Sequence, residues 1–292
     1  MKQPDVHAWR SLLYVPGNNT RFLDKAQTRG ADALILDLED SVPLDQKTQA
    51  RALVSERIGG LSAGPSAITV RINGDMRTTV KDVEAVVQPG LAAILIAKCE
   101  TAERARVVSE ILSDVEAERG LPVGAIATIA LIETPGGLFE ARDVAHADAR
   151  LRGLILGSED FATANGMDAG QDTLALAKQQ IVMAARAAHL APLGLMDSIA
   201  DYTSDGLEAL ARQSKRFGFS GATCVHPGVV DALNRGFRPT DAEIAAAKRL
   251  IATLAHAEKD GRGAAHLDGR MIDAPLLKRA QNTLRQAGQQ EG

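Results

Sequence analysis

Two apolar stretches of the chain stop abruptly on acids. Ile126-Ala-Thr-Ile-Ala-Leu-Ile132 ends at Glu133, and Gly153-Leu-Ile-Leu-Gly157 ends at Ser158-Glu159-Asp160. If both are buried parallel strands lying side by side, their terminal carboxylates meet at one end of a sheet. A hard divalent cation could sit between them, with positions left open for a substrate. No histidine cluster accompanies these acids, so Mg2+, or Mn2+, is the metal such an oxygen-donor set would take. Other short runs also end in polar residues: Asp37, Glu39 and Asp40; Arg71 and Asn73; Lys98 and Glu100; Asp197; and His226. Singly, each has a plain structural reading. Glu133 could face solvent, Asp160 could cap a turn, and Arg71 and Lys98 could neutralise nearby acids. Converging on one rim, they would repel or desolvate one another badly without a ligand or ion to organise them. A guanidinium such as Arg71 grips a carboxylate through two parallel hydrogen bonds, so an anionic oxo or hydroxy acid is the implied substrate.

The elements that must position these residues alternate between strand and helix patterns. Strands are predicted at Leu12–Val15, Ala33–Leu36, Ala67–Val70, Ala92–Ile96, Ile126–Ile132, Gly153–Gly157, Ala191–Met196 and Gly221–Val225. Helices are predicted at Arg21–Arg29, Gln46–Ile58 (stopped by Gly59-Gly60), Val80–Val87, Ala102–Arg119, the stretch between Thr134-Pro-Gly-Gly137 and Gly153, Thr173–Leu190 and Leu207–Phe217. The eighth, near Asp241–Glu258, opens on a capping box from Thr240 and Glu243. Eight such units close into a (β/α)8 TIM barrel, an α/β fold, whose strand ends carry the active site. The alternative is an open doubly wound sheet, but no Gly-x-Gly-x-x-Gly follows the first strand. The expected division is a barrel over residues 1–260 and a short helical extension over 261–292. The extension's Leu276, Leu277, Ala280 and Leu284 share one side and must pack on something, its own barrel or a neighbouring subunit.

The bulk numbers agree with this reading. A 292-residue chain with 45% hydrophobic and only 3% aromatic residues has an aliphatic core, as parallel-sheet proteins do. A net charge of −4 argues against a nucleic-acid partner. No apolar run approaches the roughly 18–20 residues needed to cross a bilayer, and Met1–His7 has no apolar signal-peptide segment. Two cysteines, Cys99 and Cys224, fit a reducing cytoplasm and read as small buried residues.

Five spaced motifs carry a family resemblance: Ser11-Leu-Leu-Tyr-Val-Pro-Gly17, Leu36-Asp-Leu-Glu-Asp40, Val70-Arg-Ile-Asn73, Leu131-Ile-Glu-Thr134 and Gly157-Ser-Glu-Asp160. In order and in register, from Arg10 to about Arg285, they resemble the citrate lyase beta-subunit-like family of the HpcH/HpaI aldolase group, which includes malyl-CoA and citramalyl-CoA lyases. The resemblance implies Mg2+-dependent barrels that cleave or form a carbon–carbon bond in a 3-hydroxyacyl-CoA, giving acetyl-CoA and an oxo acid. It implies Glu133 and Asp160 as metal ligands, Arg71 as the carboxylate clamp, and Lys98 and Asp37 as supporting members. Met271-Ile-Asp-Ala-Pro275 is similar to the segment that reaches a neighbouring subunit's site, which implies Asp273 as acid/base and a homo-oligomer, a trimer. The plain reading of Asp273 is the N-cap of the last helix. Pro16, Gly17 and Asn18, with Arg21 and Lys25, are candidate contacts for the CoA phosphates. Ile96-Ala-Lys-Cys-Glu100 stands where the family usually has Pro-Lys-Val-Glu. Related readings are a thioesterase, a malate-synthase-like enzyme and a citrate lyase beta subunit working on an acyl-carrier-protein thioester. A non-catalytic acyl-CoA-binding scaffold is the reading from another class.

Overall fold

The computed structural model describes residues 3–198, 206–259 and 261–288. Eight strands, β1 (Ser11–Pro16), β2 (Ala33–Asp37), β3 (Ala67–Ile72), β4 (Leu91–Ile96), β5 (Ala127–Ile132), β6 (Leu151–Leu156), β7 (Ala191–Leu193) and β8 (Ala222–Cys224), pair in parallel in the order 7-6-5-4-3-2-1-8. A parallel bridge between Leu193 and Gly221 joins the two ends, so the sheet closes on itself as the predicted barrel. The period of two sorts each strand between two cores. Leu12, Ile35, Leu95, Ile129, Ile155 and Leu193 fill the interior, with Ala33, Ala93, Ala127 and Ala191 among them. Leu13, Leu34, Val70, Ile94, Ile132 and Leu154 face outward into the helix layer. The same alternation carries Asp37, Arg71 and Glu133 inward at the carboxyl ends of β2, β3 and β5.

The helices of this unit are α1 (Thr20–Lys25), α2 (Lys47–Leu61), α3 (Met76–Val86), α4 (Ala102–Glu118), α5 (Pro135–Phe139), α6 (Ala141–Ala145), α7 (Ser158–Asn165), α8 (Gln171–Ala187), α9 (Leu207–Phe217) and α10 (Val230–Phe237). Several boundaries differ from the sequence expectation, among them the following. Helix α2 runs through Gly59-Gly60 to Leu61, because Ile58 and Leu61 are both buried on its inner face and that packing outweighs the ~1 kcal/mol penalty of a helical glycine. Helix α3 starts four residues early, where the Asp75 side chain accepts from the Thr78 N–H at 2.9 Å. Strand β7 has only three paired residues, and most of the loop after it, residues 199–205, lies outside the described residues.

The chain forms two compact units, Met1–Phe237 and Arg238–Gly292. The expected division was at residue 260; these compact units meet at Phe237. The helix that follows β8 is α10; the predicted eighth helix, now α11 (Asp241–Lys259), belongs to the second unit. Its capping box is present: Thr240 N donates to Glu243 Oε2 at 2.7 Å and Glu243 N donates to Thr240 Oγ1 at 3.1 Å. A hairpin of β9 (Ala265–Leu267) and β10 (Arg270–Ile272) turns at Asp268-Gly269, both at positive φ. Helix α12 (Ala274–Gln286) lays Ala280 and Leu284 against Ala247 of α11.

Candidate metal centre at the barrel mouth

Glu133 closes β5 and is 2% exposed. Two contacts fix its carboxylate. The backbone N–H of Lys98 donates to Glu133 Oε2 at 2.7 Å, with Lys98 held at φ 50°. Gly157, on the neighbouring β6 side, lies so close that a Cβ there would sit 2.7 Å from Glu133 Cγ. Asp160 comes from the first turn of α7, where the helix amides favour negative charge. Asp40 comes from the loop after β2. One carboxylate oxygen from each of Asp40, Glu133 and Asp160 lies within 4.8 Å of the other two. Glu133 and Asp160 are thus brought together as expected, and Asp40 joins them. In the sequence Asp40 is one of several strand-end polar residues; its signal is its place in Leu36-Asp-Leu-Glu-Asp40.

These three side chains fit a hard divalent ion. The donors are all oxygen, one acid is buried and immobilised, and the other two are exposed toward the cavity. Without an ion, burial is the first cause pushing the Glu133 carboxyl up, to about 8, and the charges of Glu39 and Asp160 add to it. Burial likewise lifts Glu39 to about 6, with Asp40 adding. A cluster that resists its own ionisation is the kind of site where a cation relieves like-charge repulsion.

Arg71 stands beside these acids, but its fork is not open. The β2–β3 register places Asp37 directly against Arg71. Asp37 accepts from Nε at 2.6 Å and from Nη2 at 2.8 Å. Nη1 lies 2.9 Å from Glu39 and 3.2 Å from Asp40. The bidentate grip expected on a substrate carboxylate is therefore taken up by Asp37, because both side chains point into the barrel from paired positions on adjacent strands. The Tyr14 ring packs 4.9 Å from the guanidinium carbon. Burial would raise Asp37, but the Arg71 hydrogen bonds outweigh it and hold the carboxyl below its usual range. Lys98 contributes twice: its amide holds Glu133, and its Nζ lies 3.2 Å from Glu39. Lys47 Nζ donates to the carbonyls of Leu38 and Glu39 at 2.7 and 2.6 Å, which fixes the loop that carries Asp40.

The remaining strand-end residues divide. Asn73 is buried, donating to Leu38 O at 2.9 Å and to Asp82. The Asp197 carbonyl accepts from Lys178 Nζ at 2.5 Å. Pro16 lines the cavity, whereas Gly17 packs on the Asp37 carbonyl and Asn18 donates to Gln46 at 2.6 Å. Asp273 is the N-cap residue of α12 in the second unit and makes no side-chain capping bond. Both cysteines are buried, and burial pushes their thiols up to about 12.

The three acids and Arg71 line a cavity of about 370 Å³, whose other walls include Leu131, Ile155, Leu195 and Val225. A second cavity of about 640 Å³ lies beside it and shares Tyr14, Pro16 and Val225 as walls. Among the described residues no helix is long and apolar enough to cross a membrane.

A model of the HpcH/HpaI aldolase/citrate lyase family matches residues 10–227. The chain is 34% identical over 285 residues to citrate lyase subunit beta of Leuconostoc mesenteroides subsp. cremoris, covering 95% of this chain and 93% of that one. It is 35% identical over 286 residues to (3S)-malyl-CoA thioesterase of Cereibacter sphaeroides, covering 97% and 95%. Among solved structures, protein CitE from Mycobacterium tuberculosis, in complex with magnesium, acetoacetate and coenzyme A, is 29% identical with a TM-score of 0.76, covering 97% of this chain and 100% of that one.

Proposed function

The chain belongs to the HpcH/HpaI aldolase/citrate lyase family, and from that premise we propose that it is a Mg2+-dependent carbon–carbon lyase acting on a 3-hydroxyacyl-CoA. The observation that carries this reading is the convergence of Asp40, Glu133 and Asp160 beside Arg71 in one cavity at the barrel mouth. A related structure with magnesium, acetoacetate and coenzyme A bound together supports the choice of metal and thioester.

Bound to these three carboxylates, Mg2+ would supply Lewis acidity to the hydroxyl and carboxylate oxygens of the acyl chain. The rest falls to the protein. Lys98 and Gly157 hold Glu133 in place, and Lys47 holds the Asp40 loop. Arg71, fixed by Asp37 and Tyr14, keeps a positive charge beside the oxygen that becomes a carbonyl. Leu131, Ile155 and Leu195 exclude water from the reacting carbons. The bond between the carbinol carbon and the carbon next to the thioester breaks, and the hydroxyl gives its proton to solvent as its oxygen becomes the carbonyl of the oxo acid. The electron pair of the broken bond passes to the thioester enolate, which then takes up one proton. Asp273, supplied to the site of a neighbouring subunit, is the group we assign to exchange the enolate proton, which gives acetyl-CoA and an oxo acid. Pro16 stands between the two cavities, which suits a thioester arm leaving the reaction cavity past the β1 turn, with Gly17 and Asn18 beside it. We propose a homotrimer, to be checked by sedimentation.

The 35% identity to a malyl-CoA thioesterase favours hydrolysis as the second reading. One assay separates the two. Purified protein with and without Mg2+ is given malyl-, citramalyl- and citryl-CoA, and oxo acid and free CoA thiol are both followed. Metal-dependent release of oxo acid without free thiol is the lyase outcome; free thiol without oxo acid is hydrolysis and refutes the lyase.

A further inference from the structure

An acid bound in the reaction cavity needs a directed hydrogen-bond donor, and the Arg71 fork does not offer one. Each of its three nitrogens already faces an acid: Asp37 takes Nε and Nη2, while Glu39 and Asp40 share Nη1. Arg71 therefore supplies charge to the cavity rather than an uncommitted N–H. The uncharged side-chain donors on the same wall are the hydroxyls of Tyr14, Ser41, Ser158 and Thr223. Ser41 Oγ donates to Asp37 at 2.5 Å. The other three have no hydrogen-bond partner among the described residues, and none of them is sealed from the cavity.

Of these, Tyr14 is set apart by its position. It packs against the interior core from β1, and its ring centroid lies 4.9 Å from the Arg71 guanidinium carbon. Asp37, Glu39 and Glu133 are near enough to act on its hydroxyl, so the phenol stands at the acidic end of the cavity. A neutral phenol offers one O–H, and a guanidinium beside it favours an anionic acceptor. On the thioester-cleaving reading above, on which this inference rests, we propose that Tyr14 is a further catalytic residue. Its hydroxyl donates a hydrogen bond to an anionic oxygen of the bound hydroxy or oxo acid, the contact that Arg71 cannot make while Asp37 holds its fork. Arg71 then lends the charge and Tyr14 the directed O–H. Phenylalanine at this position would keep the ring on Arg71 and lose the donor, so one atom separates packing from ligand binding.

The test is pyruvate binding to the Mg2+-loaded protein by titration calorimetry, for the wild type, Tyr14→Phe and Thr223→Val, at buffered free Mg2+. Tyr14→Phe should bind pyruvate about tenfold or more weakly, the scale of a lost hydrogen bond to a charged acceptor. Its Mg2+ affinity and melting temperature should match the wild type, because the ring and the carboxylates remain. Thr223→Val removes a cavity hydroxyl on the neighbouring strand β8 and should lose less. Tyr14 is one of two tyrosines in the chain, so pyruvate should also perturb the tyrosine ultraviolet band of the wild type more than that of Tyr14→Phe. The inference is overturned by no pyruvate binding in the wild type, by equal pyruvate affinity in Tyr14→Phe, by a loss that merely follows weakened Mg2+ binding, or by a larger loss in Thr223→Val. These binding outcomes do not depend on which bond the enzyme breaks. Free thiol without oxo acid would remove the lyase reading and leave the role of Tyr14 to be decided by pyruvate.

Discussion

The amide of Lys98 donates to Glu133 Oε2 across 2.7 Å, from a residue held at φ 50°. A left-handed lysine at the end of β4 therefore aims the principal buried acid of the site. Backbone strain of this kind, of order 1 kcal/mol, persists only where neighbouring structure imposes it.

Lys98→Gly relieves that φ and keeps the amide, so it should raise unfolding stability by a few tenths to about 1 kcal/mol and preserve Mg2+ binding. Lys98→Pro removes the donor and fixes φ near −65°, and Mg2+ affinity should fall at least tenfold. Calorimetric Mg2+ titration of the two variants makes the comparison; equal affinities would show that the amide does not position Glu133.

Gly157→Ala places a methyl group 2.7 Å from Glu133 Cγ, too close for either atom to stay. Glu133 must turn away, and Mg2+ affinity should drop about tenfold to a hundredfold with the circular dichroism of the fold retained. Glu133→Ala and Asp160→Ala should abolish metal-dependent turnover, and Asp40→Ala should weaken Mg2+ binding; full activity in either of the first two would refute the metal assignment.

The raised Glu133 carboxyl sets a pH dependence. Its folded value of about 8 lies above the ordinary 4.5, so between these limits the metal-free native state holds more protons than the unfolded chain. Metal-free stability from this group is therefore fully present below about 4.5 and is lost as pH rises through about 8. Mg2+ binds the carboxylate, so its affinity should increase across the same window. Melting curves between about pH 5 and 8, with and without Mg2+, should diverge as pH rises; Glu133→Gln should flatten the metal-free curve.

Asp37→Asn leaves Arg71 buried without its paired charge. Breaking such a pair costs about 3 kcal/mol or more, read as a lower denaturant midpoint, whereas Arg71→Met combined with Asp37→Leu should recover much of that loss. Because the Asp37 carboxyl is held low, its contribution is present above the usual carboxylate range and is lost as pH falls through the depressed value.

The eight strands, the place of Asp37, Arg71 and Glu133 at strand ends, and the juxtaposition of Glu133 with Asp160 are legible in the residues. Each follows from short-range pattern: apolar runs of strand length and acids at the ends of successive strands. The five spaced motifs identified the family for the same reason. Long-range distances are not written in such patterns. Only the β2–β3 register put Asp37 into the fork of Arg71, so the guanidinium that was expected to hold substrate is occupied. Only the course of the Leu38–Ser41 loop, held by Lys47 and Asn73, brings Asp40 beside Glu133 and Asp160. The division at Phe237 is likewise long-range, since Ala247 of α11 packs with Ala280 and Leu284 of α12 inside the second unit. Periodicity fixes which face of an element is buried, whereas which partner covers it depends on contacts between residues far apart in the chain.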